Sequence, residues 1–132
     1  MTNSQKCSHF WLGRFTTEQH ALDYFAEVWD DNDEDREYTP LSAFAHDQGE
    51  KWYDHDYLEY VFSVDTVSVS ALLTGLSYAD QYHDQVCQRA TETRLTRCNV
   101  AVLIEESQIE RPRSAQGGEY ALHYLGTITY RV

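Results

Sequence analysis

The last fourteen residues restrict the fold more than any other part of the chain. From Glu119 to Val132, a Tyr, Leu, Gly, Ile or Val occupies every second position, beginning at Tyr120. A period of two places these side chains on one face of a strand, whereas a helix would spread them around its circumference. The segment therefore predicts a β-strand with one buried face, and the rest of the chain must supply the sheet that contains it.

Two further segments favour strands. His9–Phe15 reads HFWLGRF, in which Gly13 indicates a bulge or a close approach of another backbone. Asn99–Ile104 reads NVAVLI, a continuous apolar run that is typical of a central strand. A turn region with Pro112 and two glycines separates this run from the C-terminal strand. We therefore expect the last two strands to form an antiparallel hairpin.

Helical spacing predicts three helices. The first covers Thr17–Trp29, with Thr16 or Thr17 as its N-cap, and the second covers Leu41–Gln48 and ends before a glycine. A longer helix is expected to begin at Ser77 as its N-cap. Its buried side would carry residues at successive i, i+4 positions, namely Tyr78, Tyr82, Val86 and Ala90.

Residues 52–70 fit no single period. The pattern of Trp52–Phe62 (WYDHDYLEYVF) matches neither a strand nor a helix well. Two alternatives stay open, a turn that leads into a short strand and a turn that leads into a short helix. Asp65 or Thr66 could cap a helix that runs to Leu73, although the three valines in this region favour a strand. The predicted fold is α+β, with an antiparallel sheet of about three to four strands packed against two to four helices. Residues 1–132 are expected to form one domain.

The charge of the chain is strongly negative and unevenly distributed. The formal net charge is −12, and residues 1–85 carry a net −13 while residues 86–132 carry +1. Such a field repels nucleic acids and anionic membranes and attracts basic partners. The chain has no apolar run of the roughly 20 residues that span a bilayer, and its N-terminus does not resemble a secretory signal. We therefore expect a cytoplasmic protein.

The acids cluster at two places that are candidates for partner binding. The segment DDNDEDRE contains six of them and is expected to be an exposed loop that steers a basic partner. These six are Asp30, Asp31, Asp33, Glu34, Asp35 and Glu37. A second candidate set joins aromatic anchors to carboxylates, although its first two residues also suit a core. That set is Trp52, Tyr53, Asp54, Asp56 and Glu59. A solvated acidic loop without a partner is the alternative.

Other chemistry has weaker support in the sequence. A metal or ligand site at Asp54-His55-Asp56 would make the chain a small enzyme or a binding domain, but the spacing HxxxH or HExxH is absent. The three Cys are far apart, and free thiols are the expectation, with a Cys-His nucleophile pair as the alternative. Phosphate-binding glycine loops and nucleophile elbows are also absent. We therefore expect neither catalytic residues, nor a metal, nor a cofactor.

Several short motifs, taken in their order along the chain, resemble a known family. They are HFWLGRF, a following helix with Leu22 and Phe25, residues 42–47 (SAFAHD), residues 52–56 (WYDHD), and the strands that contain Asn99-Val100 and Tyr124-Leu125-Gly126. In this order they resemble the Imm22 immunity proteins, which are encoded at bacterial polymorphic-toxin loci. The resemblance spans nearly the whole chain. It implies an α+β fold and an antitoxin that binds and neutralises a cognate protein toxin encoded nearby. The negative charge, and not the resemblance, adds the expectation that this toxin has a basic surface, for example that of a nuclease.

Overall fold

A computed structural model describes residues 4–28 and 41–132, so the acidic segment 30–37 lies outside the described residues. The described part contains a five-stranded antiparallel sheet with α-helices on both faces. The strands are β1 Gln5–Phe15, β2 Leu58–Ser68, β3 Arg97–Glu105, β4 Ala115–Gln116 and β5 Tyr120–Arg131. The α-helices are α1 Glu18–Phe25, α2 Ala43–Asp47, α3 Val69–Leu73 and α4 His83–Glu92. The α+β class is confirmed, and the expected strand count was slightly low.

The order of the strands corrects the predicted hairpin. The sheet runs β2-β3-β1-β5-β4, and every neighbouring pair is antiparallel. β1 lies between β3 and β5 and pairs with both, so β3 and β5, the two strands of the predicted hairpin, are not neighbours. The short strand β4 pairs with β5 instead. β3 is buried along almost its whole length, as its apolar run predicted. The N-terminal strand therefore occupies the centre of the sheet, a placement that depends on pairing over a long sequence distance.

The alternation of side chains along β1 builds two cores. Phe10 and Leu12 face α3 and α4, while Trp11 and Phe15 face α1 and α2. All four side chains are fully buried. Such a strand buries apolar groups on both faces, and its sequence therefore reads as a nearly continuous apolar run.

A β-bulge in β5 divides the alternating C-terminal run between these two cores. Phe10 pairs with Gly126 but Trp11 pairs with Tyr124, which leaves Leu125 as the extra residue. Of the alternating residues, Tyr120, Leu122 and Tyr124 come before the bulge and pack in the core beneath α1 and α2. Ile128 and Tyr130 come after it and pack in the core beneath α3 and α4. The run was correctly predicted as a strand, but its members do not share one face.

The bulge is held by a side chain from a helix. Arg89 of α4 donates from one guanidinium nitrogen to the carbonyls of Leu125, at 3.1 Å, and of Thr127, at 2.7 Å. Gly126 adopts φ +98°, and a Cβ there would lie 2.9 Å from the same nitrogen. The bulge therefore needs both a glycine and a distant arginine, and only the glycine is visible as a local signal.

The two uncertain regions of the sequence are now assigned. Residues 58–68 form β2, an edge strand that is half-buried along much of its length, and Ser68 rather than Asp65 or Thr66 caps the short helix α3. The long helix predicted from Ser77 instead begins at His83. Tyr78 takes a left-handed conformation, with φ 57°, and its side chain is exposed. The positions 82, 86 and 90 are buried as predicted.

Candidate partner-binding surface

The second candidate set lies at the start of β2 and contains both exposed and buried members. Trp52 has 59% of its surface exposed, which is unusual for so large an apolar side chain. Asp56 is also exposed, while Asp54 and Glu59 are partly buried. Tyr53 is only 1% exposed and belongs to the core beneath α1 and α2. The surface offered to a partner therefore includes Trp52 and the carboxylates but leaves out Tyr53.

Hydrogen bonds fix the turn that carries these side chains. Asp54 accepts from the backbone N–H of Asp56 at 3.1 Å and caps a 3-10 turn, His55–Tyr57. The backbone N–H of Asp54 donates to Gln108 Oε1 at 2.7 Å. Below the turn, the Tyr53 hydroxyl lies 3.1 Å from Ser42 Oγ. The core thus holds the turn from below, and this support places Trp52 and Asp56 in fixed positions on the surface.

Two residues that the sequence analysis missed complete this surface. Tyr57 is 47% exposed and Tyr78 is 52% exposed, and both line a cleft with Asp56 and Glu59. Glu59 connects the two segments, because its Oε2 accepts from the backbone N–H of Ser77 at 2.9 Å. Tyr57 could have been found from its position inside the aromatic and acidic segment. Tyr78 could not, because helical spacing placed it among buried residues.

The chain leaves and re-enters the described residues beside this surface. The backbone N–H of Val28 donates to the Leu41 carbonyl at 2.6 Å, and Leu41 donates in turn to the Lys51 carbonyl at 2.8 Å. Lys51 directly precedes Trp52. Both ends of the segment that contains the six acids are therefore anchored next to the exposed tryptophan.

Basic side chains lie at the opposite end of the sheet. Arg14, Arg94 and Arg97 line a second cleft near Gly13, whereas the Tyr57 and Tyr78 cleft lies near Ser8 at the other end of β1. Arg14 donates to the Arg97 carbonyl at 3.2 and 3.3 Å, which holds this group in place. The two clefts therefore differ in charge, because carboxylates predominate in the one near Ser8 and guanidinium groups in the one near Gly13.

The alternative metal site has no support in the geometry. Across residues 4–28 and 41–132, no group of three or more His, Cys, Asp and Glu side chains is arranged to hold a metal ion. Within the Asp54-His55-Asp56 motif, Asp54 caps the 3-10 turn, and the His55 Nδ1 atom lies 3.7 Å from Glu27 Oε1. The side chains of Asp54 and His55 therefore serve the local structure, and Asp56 is exposed.

One cysteine does lie near a histidine. The Cys87 thiol is 3.7 Å from His83 Nε2, which is also 2.8 Å from Ser70 Oγ, and His83 Nδ1 lies 2.9 Å from Asp84. A nucleophilic cysteine requires a lowered pKa. Burial, and secondarily Asp84, instead raise the pKa of the Cys87 thiol. The Asp84 carboxylate is fully exposed, so solvent screens its effect on the imidazole. This group lacks the environment of an activated nucleophile.

Comparison with known proteins assigns the family. No helix within the described ranges is long and apolar enough to cross a membrane. Searches of curated proteins and of solved structures gave no match. A family described as Immunity protein 22 matches residues 9–131, which include all of β3 and β5 and the whole 52–59 segment. The resemblance found in the sequence is thereby confirmed, and the chain belongs to the Immunity protein 22 family.

Proposed function

We infer that the chain is an antitoxin that binds a cognate bacterial toxin domain in the cytoplasm and neutralises it without catalysis. Membership of an immunity-protein family supports this class of function. The observation that carries the proposed binding surface is Trp52, which is 59% exposed and directly precedes a buried tyrosine and the hydrogen-bonded turn that begins at Asp54. Trp is among the residues most enriched at the energetic centres of interfaces.

The charge distribution supports a toxin with a basic surface, such as a nuclease. Enzymes that cleave nucleic acids attract phosphates with basic clefts, and a carboxylate-rich protein is complementary to such a cleft. In the proposed complex, the acids at 30–37 speed the encounter, and Asp54, Asp56 and Glu59 make charged contacts around Trp52. Inhibition is then steric and electrostatic.

Co-expression tests the proposed function directly. Cells that produce the toxin domain encoded beside this gene should survive when the chain is also produced, and the two purified proteins should form a stable complex. A toxin from an unrelated locus is the matched control and should kill in either case. Survival without a complex would contradict the proposed mode of action, and death despite soluble chain would contradict the antitoxin role.

We expect Trp52→Ala to weaken toxin binding by about 2 kcal/mol or more, roughly 30-fold in Kd. The side chain already lies in solvent, so its removal should leave the free energy of unfolding within about 0.5 kcal/mol of wild type. Isothermal titration calorimetry measures the first quantity and urea unfolding the second. Val64→Ala is the control, because Val64 is an exposed apolar residue farther along β2. Equal affinities of the two variants for the toxin would show that Trp52 is not part of the binding surface.

Neutralising the acidic segment should act on the association rate. Replacing all six acids by their amides should slow association about tenfold or more at low salt and should flatten its salt dependence, while dissociation changes little. Stopped-flow measurements over a range of ionic strength give both rates. A control variant carries three amides at exposed acids elsewhere, Asp65, Glu92 and Glu119. An association rate unchanged at low salt would show that the segment does not steer.

A further inference from the structure

The Tyr57 and Tyr78 cleft has the composition of a site for one charged side chain. It has a volume of about 310 Å³, at the low end of the range of ligand pockets. Its floor is the end of the sheet, where Ser8 Oγ and the Tyr130 hydroxyl lie 2.9 Å apart. Three carboxylates from two segments border it, and two exposed tyrosine side chains contribute to its lining. The residues concerned are Asp56, Tyr57, Glu59, Tyr78 and Glu105.

The cleft carries unpaired negative charge. Lys6 is the single basic residue among its lining residues, against three carboxylates. Four ion pairs of the described residues each join a histidine to a carboxylate, and none of them includes Asp56, Glu59 or Glu105. Glu59 accepts one hydrogen bond from backbone, and Glu105 accepts one from Ser107. These carboxylates therefore retain acceptor capacity for an incoming donor.

The position of Tyr78 is fixed by its neighbours. Ser77 donates its backbone N–H to Glu59, and its carbonyl accepts from the Tyr82 hydroxyl at 2.6 Å. These two bonds hold the backbone directly before Tyr78, which has φ 57°. The left-handed conformation costs a residue with a Cβ about 1–2 kcal/mol. The ring is nevertheless placed at the cleft and left half exposed to solvent.

We propose that this cleft receives an arginine side chain of the toxin, a proposal that rests on the antitoxin function above. A guanidinium group offers five N–H donors to carboxylates and stacks on aromatic rings, and the cleft supplies both kinds of partner. A lysine ammonium group would use the charge but would gain less from the two rings. An arginine held there would fix the orientation of the toxin on the Trp52 surface.

An arginine peptide tests the cleft independently of any toxin. Acetyl-Gly-Arg-Gly-amide at millimolar concentration should shift the NMR signals of the Tyr57 and Tyr78 rings and of the Ser77 N–H, while the same peptide with citrulline should not.

Tyr78→Gly removes one ring and retains a backbone conformation that glycine adopts freely, so the variant folds; it should weaken binding about fivefold. Glu59→Gln keeps an acceptor for Ser77 and should weaken binding about tenfold. Glu92→Gln, on α4, is the matched control and should bind as wild type does. Shifts spread over the acidic surface, or equal shifts with citrulline, would overturn the proposal.

Binding of the cognate toxin domain to the same variants is the second test. Tyr78→Gly and Glu59→Gln should each reduce its affinity at least fivefold, and Glu92→Gln should not. If both cleft variants bind the toxin as tightly as wild type, the arginine site is wrong while the antitoxin function stands. If wild type itself does not bind, the proposed function fails, and the peptide arm alone then decides whether the cleft takes a guanidinium group.

Discussion

Gly13→Ala should destabilise the folded chain by about 3 kcal/mol or more, which corresponds to a fall of roughly 10 °C in Tm. A Cβ at this position would overlap the carbonyl oxygen of Ala121, and it would lie 2.9 Å from the carbonyl carbon and 3.0 Å from Leu122 Cα. All three atoms belong to the backbone of β5, so no side-chain rotation relieves the contact. β1 and β5 would have to separate at the centre of the sheet, where Gly13 pairs with Leu122.

The matched control for this variant is Gly118→Ala. A Cβ at Gly118 would meet no atom within 4 Å, and its backbone is not left-handed. Its free energy of unfolding should therefore stay within about 0.5 kcal/mol of wild type. Urea unfolding followed by circular dichroism measures both variants. If the two glycines tolerate alanine equally, β1 and β5 are not packed as closely as the structure has them.

The sequence predicted strands where burial produced a strong pattern and failed where the pattern depended on distant residues. β3 was recognised because it buries side chains along almost its whole length, and β5 because its apolar residues recur at every second position. β2 was left open because an edge strand with half-buried residues has no clear period. The position of β1 between β3 and β5, and the bulge held by Arg89, arise from pairing between residues that are far apart in sequence. Local propensity carries no information on the position of β1, and for the bulge it shows only Gly126.

The candidate surface was also predicted where its residues are close in sequence and missed where they are far apart. Segment 52–59 stood out because it joins aromatic and acidic residues over a short stretch, and the structure places Trp52 and Asp56 on the surface. Trp52 and Tyr53 are adjacent aromatic residues that the sequence does not distinguish, but in the fold Trp52 is exposed and Tyr53 is buried. Tyr78 joined the surface only through the Ser77–Glu59 hydrogen bond, between residues 18 positions apart. A binding surface built by such contacts becomes visible when the fold is known.

The chain should also unfold cooperatively in alkali, at a pH set by its buried tyrosines. Tyr24, Tyr53 and Tyr82 are fully buried, and burial is the main cause that raises the pKa of each, to about 12 for Tyr53. For Tyr24, a 2.6 Å hydrogen bond to the Asp47 carboxylate raises the pKa further. In the unfolded chain, these phenols lose their protons near pH 10. The native state thus holds more protons above that pH.

The sign of the effect follows from this difference. A raised native pKa contributes stability that is fully present below pH 10 and is lost as the pH rises through the native pKa, so the window opens near pH 10 and extends beyond 12. Each phenol contributes a slope of about 1.4 kcal/mol per pH unit, so these three give about 4 kcal/mol per unit. The pKa values of Tyr60, Tyr120, Tyr124 and Tyr130 are also raised, so these tyrosines add to the slope. For a domain at the lower end of ordinary stability, about 5 kcal/mol, the three phenols alone should bring on unfolding at about pH 11.

Urea unfolding at a series of pH values measures this slope, and tyrosinate absorbance should rise together with the loss of helical circular dichroism. Tyr53→Phe removes one buried phenol and should reduce the slope by about 1.4 kcal/mol per pH unit, because one linked proton is lost. It should also cost about 1 kcal/mol at neutral pH, since Ser42 loses its hydrogen-bond partner. Tyr57→Phe, on the surface, removes no buried phenol and should leave the slope unchanged. A slope that does not respond to Tyr53→Phe would mean that its hydroxyl titrates freely in the native chain, in conflict with its burial beneath the surface that carries Trp52.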